Sequence, residues 1–111
     1  MEFVAGASVF SGRPDPTWPV DAEFANRLRQ LWNSLPTHDG SLPAAPPLGY
    51  RGCFLREETG VEWFAYRGVV KFTSPLHSET RTDKERQFER LLLSSAPAGL
   101  IPPQLVGDEF D

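Results

Sequence analysis

Apolar side chains recur at intervals of three and four in two segments of the chain, which is the spacing of an amphipathic helix. The first segment spans residues 21–35, where Asp21 precedes the apolar positions as a candidate N-cap. The second spans residues 82–96 and begins with Thr82 and Glu85, the spacing of a Thr-x-x-Glu capping box. A proline follows each segment. The pattern therefore predicts two helices.

Three further stretches are short, largely apolar and bounded by turn-forming residues, as strands are. They are residues 2–10, 48–57 and 61–72. The resulting β-α-β-β-α order predicts an α+β fold, a small two-layer sandwich in which a three-stranded, mainly antiparallel sheet has two helices on one face. With 111 residues the chain is expected to form one domain, residues 1–111. Residues 98–111 form a C-terminal tail that is a candidate for partial disorder.

The second and third predicted strands flank a three-residue connection, 58–60, that ends in glycine. A type I turn with this glycine in the left-handed region would join the strands as a hairpin. Arg56 then faces Glu62, an opposite-charge pair that favours this register. Aromatic rings are also expected over glycines of the opposite strand, which fixes register in designed sheets. The expected pairs are Phe54 with Phe64, Tyr66 over Gly52, and Tyr50 over Gly68.

Alternation along the hairpin divides its side chains into two faces. We expect the face with most of the aromatic rings to meet the helices: Leu48, Tyr50, Phe54, Phe64, Tyr66, Val70 and Phe72. The other face is expected to lie open: Arg51, Cys53, Leu55, Trp63, Ala65, Arg67, Val69 and Lys71. Arg51 would lie opposite Arg67, and such like charges repel. Three compensations remain open: solvent, a carboxylate of Asp15 or of the tail 108–111, or an external anionic group.

The connection VFSGRPDPTWPV, residues 9–20, contains three prolines. Proline fixes its own φ and favours an extended conformation in the preceding residue, so this connection should be stiff. One interpretation is a rigid spacer that places Trp18 on the core. The other is a recognition surface to which Arg13, Asp15 and Trp18 contribute, because a stiff loop loses little freedom on binding.

Composition narrows the class of protein. The net charge of −4 argues against nucleic acid as a partner, since nucleic-acid affinity depends on clustered basic side chains. The single cysteine, Cys53, excludes an internal disulfide and a multi-cysteine metal site. No apolar run approaches the roughly 20 residues of a membrane span, and the N-terminus lacks a basic signal-peptide region. We therefore expect a cytoplasmic protein without a membrane partner.

No combination of residues in the sequence resembles a catalytic or metal-binding motif. Cys53 falls in a predicted strand, where a lone cysteine usually behaves as a small buried apolar residue. His38 and His77 fall in predicted loops and lack the spacing of helical metal ligands. We expect no metal and no cofactor, and the sequence argues against an enzyme without deciding the question.

The sequence favours a small acidic interaction module that binds a protein partner or itself, for example as a homodimer. Arginine and tryptophan are enriched at binding hot spots, and both occur on the predicted open face and in the proline-rich connection. The hypothetical binding residues are Arg13, Asp15, Trp18, Arg51, Trp63 and Arg67. The alternative is a small domain that binds an anionic ligand, or an enzyme-like domain, with the arginines as the anion clamp.

Overall fold

Six antiparallel strands and two helices make up the part of the chain that the computed structural model describes, residues 2–9, 14–45 and 49–101. The strands are β1 (Phe3–Ala7), β2 (Thr17–Val20), β3 (Cys53–Glu57), β4 (Glu62–Tyr66), β5 (Val69–Thr73) and β6 (Ser78–Thr82). The helices are α1 (Ala22–Ser34) and α2 (Gln87–Ser94), and a 3-10 turn, Lys84–Arg86, precedes α2. The sheet order is β2-β1-β3-β4-β5-β6. The predicted α+β class is confirmed. The sheet has six strands instead of the expected three.

The β3–β4 hairpin forms in the predicted register. Phe54 pairs with Phe64 and Arg56 with Glu62. Arg56 Nε lies 2.6 Å from Glu62 Oε1, so the opposite charges that favoured this register form an ion pair. Gly60 has a φ of 94°, the left-handed conformation expected at the end of the connection.

A second hairpin interrupts the segment predicted as one strand over residues 61–72. Arg67 and Gly68 form a two-residue turn, because Tyr66 pairs directly with Val69. Their φ values of 45° and 89° are both positive, as a type I′ hairpin turn requires. The prediction was wrong here because this turn usually contains Asn-Gly or Asp-Gly, and Arg-Gly gives no comparable signal.

The helices cover the sheet face that was expected to lie open. The α1 side chain Arg29 has its guanidinium 5.7 Å from the ring centroid of Trp63. Cys53 Sγ lies 3.8 Å from the backbone oxygen of Glu89 in α2. Leu55, which pairs with Trp63, has no exposed surface. The predicted face assignment is therefore wrong for the paired residues of β3 and β4. It is right for Tyr50, which bonds Glu89 of α2, and for Phe72, whose ring centroid lies 6.0 Å from that of Trp32 in α1.

Two glycines explain how aromatic rings fit on the face opposite the helices. The ring of Phe54 occupies the position that a side chain on Gly6 would take. Phe64 Cε1 lies 2.5 Å from where a Cβ on Gly52 would be. The Arg56 guanidinium covers Phe54 at 4.0 Å from its ring centroid. Aromatic rings thus do cover glycines of neighbouring strands, but not in the expected pairs. Phe64, not Tyr66, covers Gly52, and Tyr50 does not cover Gly68.

The proline-rich connection leads into an edge strand and then into α1. Trp18 in β2 pairs with Ala5 and is 2% exposed, so it lies in the core, as one interpretation of the connection expected. Pro19 lies within the same strand, and proline is tolerated only at sheet edges. The side chain of Asp21 accepts a hydrogen bond from the Phe24 amide at 2.8 Å, which confirms it as the N-cap of α1.

The second helix begins later than predicted, and its expected capping box is wrong. Thr82 is the last residue of β6, so it pairs with a neighbouring strand and does not cap a helix. The carboxylate of Asp83 accepts hydrogen bonds from the amides of Phe88 at 2.8 Å and Glu89 at 3.0 Å instead. No helix in the described ranges is long and apolar enough to cross a membrane.

The loop after α1 covers the outer edge of β6. The His38 amide donates to the Thr80 carbonyl at 3.0 Å, and the Thr82 amide donates to the Pro36 carbonyl at 2.8 Å. These hydrogen bonds occupy backbone groups that an edge strand otherwise exposes. The sheet thus has an edge strand with an internal proline on one side and an edge covered by a loop on the other.

Candidate functional site

A buried carboxylate, that of Glu89, lies between α2 and the end of the sheet where β3 begins and β4 ends. Glu89 has no exposed surface. Its Oε2 accepts a short hydrogen bond from the Tyr50 hydroxyl. Its Oε1 accepts from the backbone amide of Arg67 and from Arg86 Nε, each at 3.1 Å. One buried acid therefore holds three separate segments of the chain together.

The backbone around this acid adopts conformations that side chains normally avoid. Arg67, Glu85 and Arg86 have φ values of 45°, 57° and 57°, and they are the positive-φ residues other than glycine in the described structure. The left-handed conformation costs about 1–2 kcal/mol for each such residue. Strained residues persist only where surrounding contacts fix them, and they cluster at functional sites. The strain therefore marks this end of the sheet as the candidate site.

Each strained arginine is held by specific contacts. Arg86 is the last residue of the 3-10 turn that follows Asp83, and its Nε donates to the carboxylate of Glu89, three residues later. Arg67 donates through Nε to the Tyr66 hydroxyl at 2.9 Å, with its guanidinium 5.5 Å from that ring's centroid. Arg67, through its backbone amide, and Arg86, through its side chain, thus bond the same oxygen of Glu89. Buried partners orient both guanidinium groups: Tyr66 for Arg67 and Glu89 for Arg86.

Burial keeps the hydroxyl of Tyr50 and the thiol of Cys53 protonated. It raises the pKa of the Tyr50 hydroxyl, with further contributions from Cys53 and Glu89. Burial also raises the pKa of the Cys53 thiol, and the negative charge of Glu89 adds to this effect. The thiolate, not the thiol, is the nucleophile. Tyr50 and Cys53 thus serve this site as a hydrogen-bond donor and a packing residue.

Two of the predicted binding residues lie close together near this end of the sheet. The Arg51 amide donates to the Ser8 carbonyl at 2.7 Å. The hydroxyl of the same serine donates to Asp15 Oδ2 at 3.2 Å. Ser8 therefore joins the proline-rich connection to the segment before β3. Arg13 lies outside the described residues.

Two further predicted binding residues lie in the core. Trp18 and Trp63 are 2% and 5% exposed and belong to the core, so neither contributes to an open sheet face. Arg51 precedes β3 and Arg67 follows β4, so both lie outside the paired strands. Arg67 is exposed in its turn, while Arg51 is half-buried.

Sequence reasoning missed Glu89, because alternating charges in this segment resemble a solvated helix face. A signal for its burial was nevertheless present. Leu92 and Leu93 follow it by three and four positions, and residues at these spacings lie on the same side of a helix. Both leucines are buried. An acid on the apolar side of a helix requires polar partners, and here Tyr50, Arg67 and Arg86 supply them.

No known protein with a similar sequence or structure was found that could indicate what this site does. Comparison of the chain with protein-family models, curated proteins and solved structures found no match. Within the described ranges no three histidine, cysteine, aspartate or glutamate residues are grouped so that they could hold a metal ion. The interpretation therefore depends on the contacts of the residues themselves.

Proposed function

We propose that this protein is a small non-catalytic interaction module that binds an acidic segment of a partner protein at the arginine-bearing end of its sheet. The observation that carries the proposal is the pair of hydrogen bonds to Glu89 Oε1, from the Arg67 amide and from Arg86 Nε. They bring two strained arginines to one place. Guanidinium groups are well suited to gripping carboxylates, because they donate parallel hydrogen bonds.

The left-handed backbone at Arg67 is better explained by a role in binding than by a role in stability. An asparagine at position 67 would suit the type I′ turn better than arginine does. The chain instead has an exposed arginine in a left-handed conformation. A preorganised charged surface loses less entropy on binding, which increases affinity. We infer that Arg67 is present for its charge, at some expense in stability.

Arg86 and Glu89 have a supporting role in this proposal. The Arg86 side chain is 21% exposed, whereas that of Glu89 is fully buried. Removing either one would disturb the fold as well as the surface, so neither is a clean probe of binding. Arg67, whose side chain lies outside the core, is the residue to test.

The experiment measures binding of a synthetic glutamate-rich peptide by titration calorimetry, with a glutamine-rich peptide of equal length as the reference. Arg67→Asn removes the charge and suits the turn, so we expect binding to weaken by about tenfold or more, the value of a charged hydrogen bond, with the melting temperature unchanged or higher. The matched control is Arg56→Gln, which removes an arginine from the opposite end of the same hairpin. It should bind as the wild type does.

The outcomes separate the proposal from its alternatives. Equal binding of both peptides, or equal binding by wild type and Arg67→Asn, would overturn it. Competition by inorganic phosphate with no preference for the acidic peptide would favour a small anionic ligand. Binding should also weaken as salt is added, because exposed charges are screened.

A further inference from the structure

A cavity lies between the loop after α1 and the hairpin formed by β5 and β6. Its volume is about 390 Å³, and its lining includes Gly40, Ser41, Leu42, Lys71, Ser78 and Thr80. None of these residues belongs to the arginine-bearing end of the sheet, where the acidic-peptide site is proposed. Pockets that bind small molecules begin at about 300 Å³, so this cavity has room for a small ligand.

The strand register places the cavity on the sheet face opposite the helices. Lys71 pairs with Thr80, so their side chains share one face. Glu79 and Arg81 flank Thr80 along β6, so their side chains lie on the other face. There Arg81 donates to the carbonyl of Trp32 in α1 at 2.8 Å. The side chains of Lys71 and Thr80 therefore point away from α1.

Hydrogen bonds hold the loop in place as one wall of the cavity. The Thr80 hydroxyl donates to the carbonyl oxygens of His38 at 3.0 Å and Gly40 at 3.2 Å. Gly40 has a φ of 114°, a conformation that favours glycine, and the next two residues, Ser41 and Leu42, line the cavity. A wall that is fixed before the ligand arrives loses little entropy on binding.

The unbalanced charge of the cavity is positive. Lys71 forms no ion pair with another described residue. Glu79 also lines the cavity, but one of its carboxylate oxygens lies 2.7 Å from Arg81 Nε and the other 3.2 Å from His77 Nε2. Glu62, which lies diagonal to Lys71 across the sheet, already forms an ion pair within its own hairpin. The ammonium group of Lys71 can therefore bind an anionic ligand.

The lining also contains hydroxyl groups that can donate to a ligand. Those of Ser41 and Ser78 form no hydrogen bond with another described residue, whereas that of Thr80 holds the loop. Ser78 lies two positions before Thr80 in β6, so its side chain shares the face of Lys71. Asp39, the acid of the loop, does not line the cavity. One ammonium group and two hydroxyl groups are thus the donors that the cavity offers.

We infer that this cavity binds the phosphate group of a small molecule, with Lys71 as the charged partner and Ser41 and Ser78 as hydrogen-bond donors. Lysine binds phosphate as a point charge, whereas the two oxygens of a carboxylate are suited to the planar fork of arginine. The cavity is larger than a phosphate group needs, so the rest of the molecule can lie against Leu42. This site does not depend on the acidic-peptide site, because it uses none of the arginines proposed there.

The test is a titration of nitrogen-15-labelled protein followed by its amide NMR signals, with glucose 6-phosphate as the probe and glucose as the reference. We expect the amide signals of Ser41 and Ser78 to shift to saturation with glucose 6-phosphate and to stay in place with glucose. Lys71→Gln should weaken binding by about tenfold or more, the value of a charged hydrogen bond. The matched control is Lys84→Gln, which removes the other lysine of the chain and should bind as the wild type does.

The melting temperature should be the same in the wild type and both variants, because both lysines are exposed. A titration with inorganic phosphate distinguishes two sources of the bound group. Equal affinity for inorganic phosphate and the sugar phosphate supports free phosphate as the ligand, and tighter binding of the sugar phosphate supports a phosphate ester.

Four results would overturn the inference. The first is a wild type whose signals do not shift to saturation with either phosphate compound, and the second is an equal response to glucose. The third is binding that Lys71→Gln leaves unchanged or that both lysine variants weaken equally. The fourth is a set of shifts centred on the Arg67 amide instead of on Ser41 and Ser78, which would place the anion at the other site.

Discussion

The indole N–H of Trp18 donates to Ser95 Oγ at 2.8 Å and joins edge strand β2 to the end of α2, 77 positions later. Ser95 Oγ in turn donates to the Leu92 carbonyl at 2.7 Å, so the acceptor is held in place. This bond connects the strand that follows the proline-rich connection to the C-terminal end of α2.

Breaking this bond should destabilise the fold by a modest amount. Ser95→Ala leaves a buried indole N–H without its acceptor, and we expect a loss of about 1–2 kcal/mol in the free energy of unfolding. Trp18→Phe removes the donor. Urea denaturation of both single variants and the double variant gives the coupling. A double variant whose loss equals the sum of the single losses would show that the bond contributes nothing.

Removing Arg86 should be much more damaging, because Glu89 would remain buried with less compensation. Breaking a buried ion pair costs about 3–5 kcal/mol, and Arg86→Met should approach the lower end of that range, since Tyr50 and the Arg67 amide still bond the acid. Replacing Glu89 by leucine in the same chain should recover part of the loss. Arg27→Met, on the exposed side of α1, is the control, and its urea midpoint should stay near that of the wild type.

Gly6 should not tolerate a methyl group while Phe54 is present. Overpacking of this kind costs about 1–3 kcal/mol, because Phe54 must leave its place over the glycine. Gly6→Ala should therefore lower the melting temperature clearly. In a Phe54→Leu background the same change should cost less, because the smaller side chain leaves room. If Gly6→Ala were equally damaging in both backgrounds, the ring would not be the obstacle.

Asp83 should make stability fall as the pH rises through the acid range. Burial raises the pKa of this carboxyl above its ordinary value of 3.8, although the amides of Phe88 and Glu89 partly oppose the effect. The folded state therefore binds the proton more tightly than the unfolded state, and the stability this provides is present below pH 3.8 and lost as the pH rises through the folded-state pKa.

Asp83→Asn isolates this contribution, because asparagine does not titrate in this range. The variant should be less stable at every pH, since its amide group cannot accept both backbone hydrogen bonds. The stability difference between wild type and variant, measured by urea denaturation from pH 3 upwards, should shrink as the pH rises. A difference that grows with pH would mean that the folded state favours the ionised carboxylate.

Local pairing chemistry explains which parts of the fold could be predicted. The charges of Arg56 and Glu62 and the glycine at the end of the connection were enough to predict the register of β3 and β4. The turn at Arg67 could not be predicted, because its conformation opposes the preference of its own residue. Tertiary contacts with Glu89 hold it there, and sequence patterns do not encode such contacts.

The candidate site depended even more on contacts between distant parts of the chain. Tyr50, Arg67 and Arg86 lie far from one another in sequence around one acid, and nothing in their spacing suggests it. The two faces of the paired strands β3 and β4 were reversed for a related reason. Phe54 and Phe64 fit on the far face only because Gly6 and Gly52 lie beneath them, and Gly6 belongs to a different strand.

The closed edges of the sheet have a consequence for the protein at high concentration. Pro19 offers no backbone donor on β2, and the loop at Pro36 and His38 already occupies backbone groups of β6. An added chain therefore finds little free backbone on which to align as a seventh strand, which is the first step of fibril growth from a native sheet. Growth of the sheet by addition of a strand from another copy is therefore disfavoured at both of its edges.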